Sequence, residues 1–412
     1  MTTQTSFWRA GDRATLVAGV VYLTTTQMVW LLVGALGNYI AGDLGLNAGR
    51  TATLVAIPIL SGSLLRLLLG PMTDVMGGRK TGLIACALAA IPLLLGWLWA
   101  EWLNEIYLVG LLLGFAGATF AVALPMVSFW YPAKHKGLAM GIVGMGNLGT
   151  VMAVFFAPRL AELYGWHRVF GLATIPLAAA GVVFFLFAKD APGSLRKNEV
   201  AEYLAVLKEK DAYVFCLFYG VTFGGFVGLA SFLSILLRDQ YSVSKVTAGD
   251  LATVCLVTAS VLRPVGGWLA DKLGGLRVLM AVYGAAAVLF LGIAQLPPLG
   301  TAVILFFAAL GCLGIGNGTV FQLVPQRFAA QVGSATGIIG AAGGVGGFLL
   351  PILLAKLKAT SGSYALGLTV FAAIAGAALV TLLVVQREWV GRWLAAGGRA
   401  KTATVLAAVE SA

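Results

Sequence analysis

Two arginines lie inside hydrophobic stretches of this 412-residue chain, at the same place in two copies of one pattern. Arg66 stands in SGSLLRLLLGPMTDVMGG and Arg263 in TASVLRPVGGWLADKLGG. From each arginine the chain runs to a glycine at +4 (Gly70, Gly267), an aspartate at +8 (Asp74, Asp271) and a glycine pair at +11 and +12. The copies are 197 residues apart, about half the chain. A charge in hydrocarbon costs about 2.5–3.5 kcal/mol even on a lenient insertion scale, so such a residue is a functional candidate by default. Guanidinium is planar and always charged, and its rigid fork of donors suits a trigonal oxyanion better than an ammonium does. Matched arginines in two halves therefore suit one anion held between them.

The elements that must position them are membrane helices. Hydrophobic residues make up 60% of the chain and charged residues 10%, against about 25% charged in a soluble domain. Apolar stretches of about 20 residues or more, long enough to span a bilayer, recur along the whole length. The pattern predicts twelve spans, at about 14–41, 51–73, 81–100, 106–130, 137–161, 168–188, 212–237, 248–269, 277–296, 300–326, 333–355 and 363–386. The first run is too long for a cleaved signal peptide and lacks its small-residue site. The expected fold is an all-α membrane protein: a six-helix half over 1–189, a cytoplasmic linker over 190–211, a second six-helix half over 212–386 and a cytoplasmic tail over 387–412. Basic and apolar residues alternate in that tail, as in a short surface helix.

Lysine and arginine set the expected orientation. With both termini in the cytoplasm, the inner segments hold 18 of the 27 basic residues and the outer loops seven. That asymmetry accounts for the net charge of +11 without any nucleic-acid partner. The partners expected are the lipid bilayer and a small anion, and twelve spans suffice for a monomer. Cys86, Cys216, Cys255 and Cys312 are scattered through the spans, so buried thiols are expected rather than a disulfide framework. His135 and His167 read as loop residues and form no metal-ligand cluster; no metal or cofactor is expected. No nucleophile–base pair suggests an enzyme.

In a helix, eight residues rise about 12 Å, which puts each arginine near mid-membrane, above the aspartate at its cytoplasmic end. All sixteen acidic residues lie in or beside loops, so neither arginine has an evident carboxylate partner. Snorkelling over 12 Å would be a long reach.

The repeat extends further. Gly114 and Gly117 match Gly311 and Gly314, again 197 apart, and Gly137, Gly141 and Gly144 match Gly333, Gly337 and Gly340 at 196. Duplicated six-helix halves are the architecture of the major facilitator superfamily. The loop GPMTDVMGGRK resembles its signature loop, with Gly70, Asp74, Gly77, Arg79 and Lys80 in register, and Asp271 repeats Asp74. Span five reads GLAMGIVGMGNLG and span eleven GSATGIIGAAGGVGG. Glycine at that density lets helix backbones touch and slide. Together the two segments resemble the glycine-rich signatures of the nitrate/nitrite porters (NarK-type proteins). Span ten adds GIGNGTVFQLVP, and span seven places Tyr219 four residues from Phe223.

The resemblance covers all twelve spans and implies that Arg66 and Arg263 clamp nitrate or nitrite across a central cavity. It also implies that Asn147 and Tyr219 donate to the anion while Phe223 and Phe120 pack its flat faces. Asn317 falls where Phe120 does in the repeat; it either approaches the site or bonds across helices. Gly141, Gly144, Gly146 and Gly149 in span five, with Gly337, Gly340, Gly343 and Gly344 in span eleven, are the expected sliding surfaces. Nitrate/nitrite exchange is favoured over proton/nitrate symport, because an empty site would expose two positive charges to low dielectric and no mid-membrane Asp, Glu or His offers a proton relay. The alternative is a carrier of another small anion, such as formate or oxalate.

Overall fold

The structure, a computed structural model, describes residues 7–193, 205–328 and 332–395. Among these, twelve helices are long and apolar enough to cross a membrane. They are α1 (Arg13–Asp43), α2 (Ala48–Met76), α3 (Gly78–Leu98), α4 (Leu103–Ser128), α5 (Ala139–Tyr164), α6 (Trp166–Phe187), α7 (Lys210–Tyr241), α8 (Lys245–Leu273), α9 (Gly275–Ala294), α10 (Leu299–Arg327), α11 (Ser334–Ser361) and α12 (Ala365–Arg392). Such a chain must be helical, because hydrocarbon offers no partner to an unpaired backbone group. The fold is all-α, and the protein is a multi-pass membrane protein of twelve spans.

Small residues set the packing. With no water to squeeze out between helices in lipid, association rests on close contact. α2 lies on α4 where Gly114 meets Ser61 and Gly62, and α8 lies on α10 where Gly314 meets the backbone of Ala259. Gly311, the repeat partner of Gly114, likewise meets Thr258, the partner of Ser61. α7 is the most enclosed span, with 94% of its apolar window buried, and α12 the least, with 33%. α7 therefore runs through the centre of the bundle and α12 along the lipid.

The turn between α2 and α3 is built on Gly77, at φ 90°, and its repeat partner Gly274 turns α8 into α9 at φ 97°. An L side chain is strained in that region, which glycine enters freely. Asp190 closes the first turn by accepting from the Arg79 backbone N–H at 3.1 Å, while the Arg79 guanidinium donates to the Phe185 carbonyl at 2.6 Å. Asp271 accepts from the Gln322 amide at 2.9 Å.

Three spans of the first six are interrupted near their middles. α1 breaks at Leu31, α4 at Thr119, and α5 passes through a 3₁₀ turn at Met145–Asn147. The breaks in α1 and α4 adjoin, since Gly117 packs on Trp30, and Thr26 and Thr119 share a hydroxyl hydrogen bond at 2.7 Å. Their repeat counterparts α7, α10 and α11 are unbroken.

Three sequence expectations need correction. The signature segment is not a loop: Gly70 and Asp74 lie in α2, Arg79 and Lys80 in α3 and Asp271 in α8, and Gly77 alone makes the turn. His135 and His167 are not in loops but in the first turns of helices Ala133–Gly144 and Trp166–Phe187. The first residues of the tail are not a surface helix. Residues 387–389 continue α12, where Trp389 is buried, stacks on Phe215 at 5.0 Å and donates to Asp211 at 2.8 Å, before the chain kinks at Val390 and Gly391. The aromatic partners at the start of α7 are what draw the tail in. Residues 396–412 and 194–204 lie outside the described residues, and with them the rest of the tail and much of the linker.

Candidate functional site

Arg66 is 2% exposed, midway along α2, and its bonds all go to neutral groups. Nε and Nη2 donate to the Gly117 carbonyl on α4, each at 3.4 Å, beside the break at Thr119. Nη1 donates at 3.1 Å to the carbonyl of Gly340 on α11, in the other half of the repeat. The guanidinium carbon lies 5.5 Å from the Trp30 ring, 5.2 Å from Phe120 and 5.2 Å from Phe223. Gly117 permits this arrangement, because a side chain there would collide with Trp30.

Arg263, 6% exposed on α8, is held less completely. Nη2 donates to the Tyr219 hydroxyl at a long 3.5 Å, and Nη1 is buried with no hydrogen-bond partner among the described residues. A buried donor left unpaired costs about 1–3 kcal/mol, and more on a charged group. That orphan donor calls for an acceptor, and an anion is the acceptor a guanidinium binds most strongly. Neither arginine forms an ion pair among the described residues.

Phe120 joins the two. Its ring centre is 5.2 Å from the Arg66 guanidinium carbon and 5.3 Å from that of Arg263, so the two charges lie within about 10.5 Å, the sum of those distances. A cation over an aromatic face is stabilised without being neutralised. Tyr219 and Phe223 stack at 4.9 Å with planes 2° apart. Phe321 completes the wall: it meets Tyr219 edge-on at 4.7 Å, lies 6.5 Å from Phe120 and is 5.9 Å from Arg263.

The glycine-rich helices cross at this level. Gly340 of α11 faces Arg66 and Gly144 of α5 faces Arg263; a methyl at either would sit 3.7–3.8 Å from the guanidinium. Each arginine thus looks across at the glycine helix of the opposite half. Gly146 and Gly149 pack on Leu23 and on the Thr24 backbone of α1, Gly343 on Tyr219, and Gly344 on Ser63 of α2. Gly141 has open space beside it, and Gly337 lies within α11.

The structure brings together Arg66, Arg263, Phe120, Tyr219 and Phe223. Asn147 is buried in the 3₁₀ turn, three residues past Gly144, and Asn317 is buried on α10 with an unpaired Oδ1. Among the described residues no hydrogen bond ties either amide to an arginine. Sequence reasoning missed Phe321 and Trp30. Phe321 lies four residues past Asn317, on the same face of α10, and that spacing was the one available signal.

Cross-half contacts also close one end of the bundle, the end away from Asp74 and Asp271. Arg159 on α5 pairs with Asp250 on α8 at 2.5 Å. Arg238 on α7 donates to Asn38 on α1 at 3.3 Å, and the Lys245 ammonium lies 4.3 Å over the Tyr39 ring. At the opposite end Arg79 bonds Asp190 at the start of the linker, Gln322 bonds Asp271, and Arg327 pairs with Glu209 and Asp211 at the linker's end.

Residues 18–351 match the Major Facilitator Superfamily. The chain is 33% identical over 363 residues to a nitrite extrusion protein of Bacillus subtilis, covering 88% of this chain and 91% of that one. It is 35% identical over 387 residues to a probable nitrate/nitrite transporter, NarK2, of Mycobacterium tuberculosis, covering 92% and 98%. A probable nitrate transporter, NarT, of Staphylococcus carnosus is 33% identical over 369 residues, covering 89% and 94%. Among solved structures, a bacterial homologue of the human lysosomal transporter Spinster, in an inward-facing and occupied conformation, superposes with a TM-score of 0.65 over 90% of this chain and 96% of that one. At 17% identity, that likeness concerns the fold alone.

Proposed function

We propose that this chain, which belongs to the nitrate/nitrite porter family of the Major Facilitator Superfamily, carries nitrate and nitrite across the cytoplasmic membrane by alternating access. The observation that carries this reading is the pair of buried arginines, one from each half, leaning on a shared phenyl ring with no carboxylate partner among the described residues. A monovalent planar oxyanion fits that charge and that shape. Arg66 and Arg263 bond its oxygens, the Tyr219 hydroxyl donates to one of them, and Phe120 and Phe223 pack its faces. Asn147 and Asn317 reach the anion after a modest shift of α5 or α10.

Both termini lie in the cytoplasm in this reading, so the end closed by Arg159–Asp250 is the outer one. The halves, 1–189 and 212–386, rock about the site while the linker 190–211 tethers them. One copy of the chain is the working unit.

Exchange follows from charge. Closing both ends over two bare guanidiniums in low dielectric is costly, and a bound anion offsets part of that cost. In proteoliposomes, nitrate uptake is therefore expected to be at least tenfold faster into nitrite-loaded vesicles than into empty ones, without internal acidification. Full-rate uptake into nitrite-free vesicles accompanied by acidification would replace exchange by proton symport. Competition by excess formate or oxalate, with nitrate itself failing to bind, would overturn the substrate assignment.

Phe120→Leu tests the shared ring. Each cation–π contact contributes about 0.5–2 kcal/mol when desolvated. Losing both is expected to raise KM for nitrate roughly tenfold while the protein still elutes as a folded monomer. An unchanged KM would make Phe120 mere packing.

A further inference from the structure

A cavity of about 880 Å³ lies between the halves at the closed end of the bundle. Asn38 and Thr51 line it from the first half, and Arg238, Asp239, Ser244 and Lys245 from the second. Along α2, Thr51 stands fifteen residues before Arg66, so the cavity is about 22 Å from the central site.

Its charges are unbalanced. Among the described residues lining it Asp239 is the one acid, and that carboxylate already accepts from the Lys358 ammonium and, at 2.8 Å, from the Tyr364 hydroxyl. Arg238 donates only to neutral acceptors, the Asn38 carbonyl at 3.5 Å and its side-chain oxygen at 3.3 Å. Lys245 rests on the Tyr39 ring. Neither cation has a carboxylate partner among the described residues. Lys245 also opens α8, so the positive end of that helix dipole adds to the same field. A concave surface of net positive charge concentrates anions and raises their association rate.

We infer that this cavity is a second anion station, holding one small monovalent oxyanion, still hydrated, between Arg238 and Lys245. The inference rests on the nitrate/nitrite reading above for the identity of the oxyanion. The volume accommodates an anion together with its water, whereas the central site is walled by rings that exclude water. The Arg238–Asn38 bond crosses between the halves, and an anion can take the place of the neutral amide on the guanidinium without breaking an ion pair. Filling the station and opening this end of the bundle are thereby linked.

The test is equilibrium binding of labelled nitrate to the purified full-length protein. Wild type is expected to show two classes of site, one tight and one weak and salt-sensitive. The double variant Arg238→Gln/Lys245→Gln keeps the tight class, which also shows that it folds, and loses the weak one. In proteoliposomes, its KM for nitrate presented at that end rises roughly five- to tenfold at low salt, and the difference narrows as ionic strength grows. Lys245→Gln alone, at a half-buried first-turn position, shows part of the same loss if the double variant folds poorly. A single class of site in wild type, with KM unmoved by either variant, overturns the station and leaves the central site standing. No nitrate binding by wild type at all overturns the substrate assignment, and the station with it.

Discussion

Arg66→Lys and Arg263→Lys are each expected to weaken nitrate binding about 100-fold, although both keep the positive charge. Ammonium is a point charge with three swivelling donors, and it cannot reproduce two parallel bonds to a trigonal anion. Hydrogen bonds to charged groups contribute about 1.5–3 kcal/mol each, so losing a bidentate pair reaches that factor. The two substitutions should nonetheless differ. Arg66 also donates to the carbonyls of Gly117 and Gly340, so removing its fork deletes bonds to α4 and α11 and loosens the contact between α2 and α11. Arg263 has one long bond to Tyr219 and an unpaired Nη1, so its replacement costs the protein little. Thermal unfolding should separate them, with Arg66→Lys melting several degrees below wild type and Arg263→Lys close to it. Binding within threefold of wild type in both variants would remove the clamp from the mechanism.

That asymmetry between the arginines was not legible in the sequence, while their existence was. Arg66 and Arg263 stand out because a charge in hydrocarbon is costly and because the repeat presents the same anomaly twice. The twelve spans stand out for the related reason that few polar residues are tolerated there. Phe321 and Trp30 carry no such signal. An aromatic side chain costs nothing in lipid, so the phenylalanine beside Arg263 looks like any other of the 22 in the chain. The amides were harder still: Asn147 and Asn317 mark polar places inside helices, but only the three-dimensional arrangement says which neighbour an amide faces. Symmetry in the sequence also concealed asymmetry in shape. The breaks at Leu31, Thr119 and Met145–Asn147 have no counterparts in α7, α10 or α11, although the repeat aligns these helices.

The glycines divide by what they touch, and that division yields the second large effect. Gly144 and Gly340 face the guanidiniums, so leucine there would fill space the anion needs. Gly149 packs on the Thr24 and Met28 backbone of α1 within the first half, where a side chain would damage the half itself. Gly344 differs from both. A Cβ at Gly344 would overlap the Ser63 side chain, coming within 2.7 Å of its Cβ, and Ser63 belongs to α2 of the opposite half. Gly344→Leu should therefore leave each half intact and penalise only the conformation in which α2 and α11 touch. Overpacking costs about 1–3 kcal/mol, equivalent to a 5–150-fold shift between two states. The variant is expected to insert normally, to lose at least tenfold in transport and to favour the form open at the end now closed. Spin labels at Ala48 and Ser244, on opposite sides of that end, should report a longer distance in Gly344→Leu than in an otherwise identical protein. Gly149→Leu should instead lower yield and thermal stability without moving that distance. Normal transport with an unchanged distance in Gly344→Leu would mean that α11 does not part from α2 during the cycle, and the glycine seam would then be close packing alone.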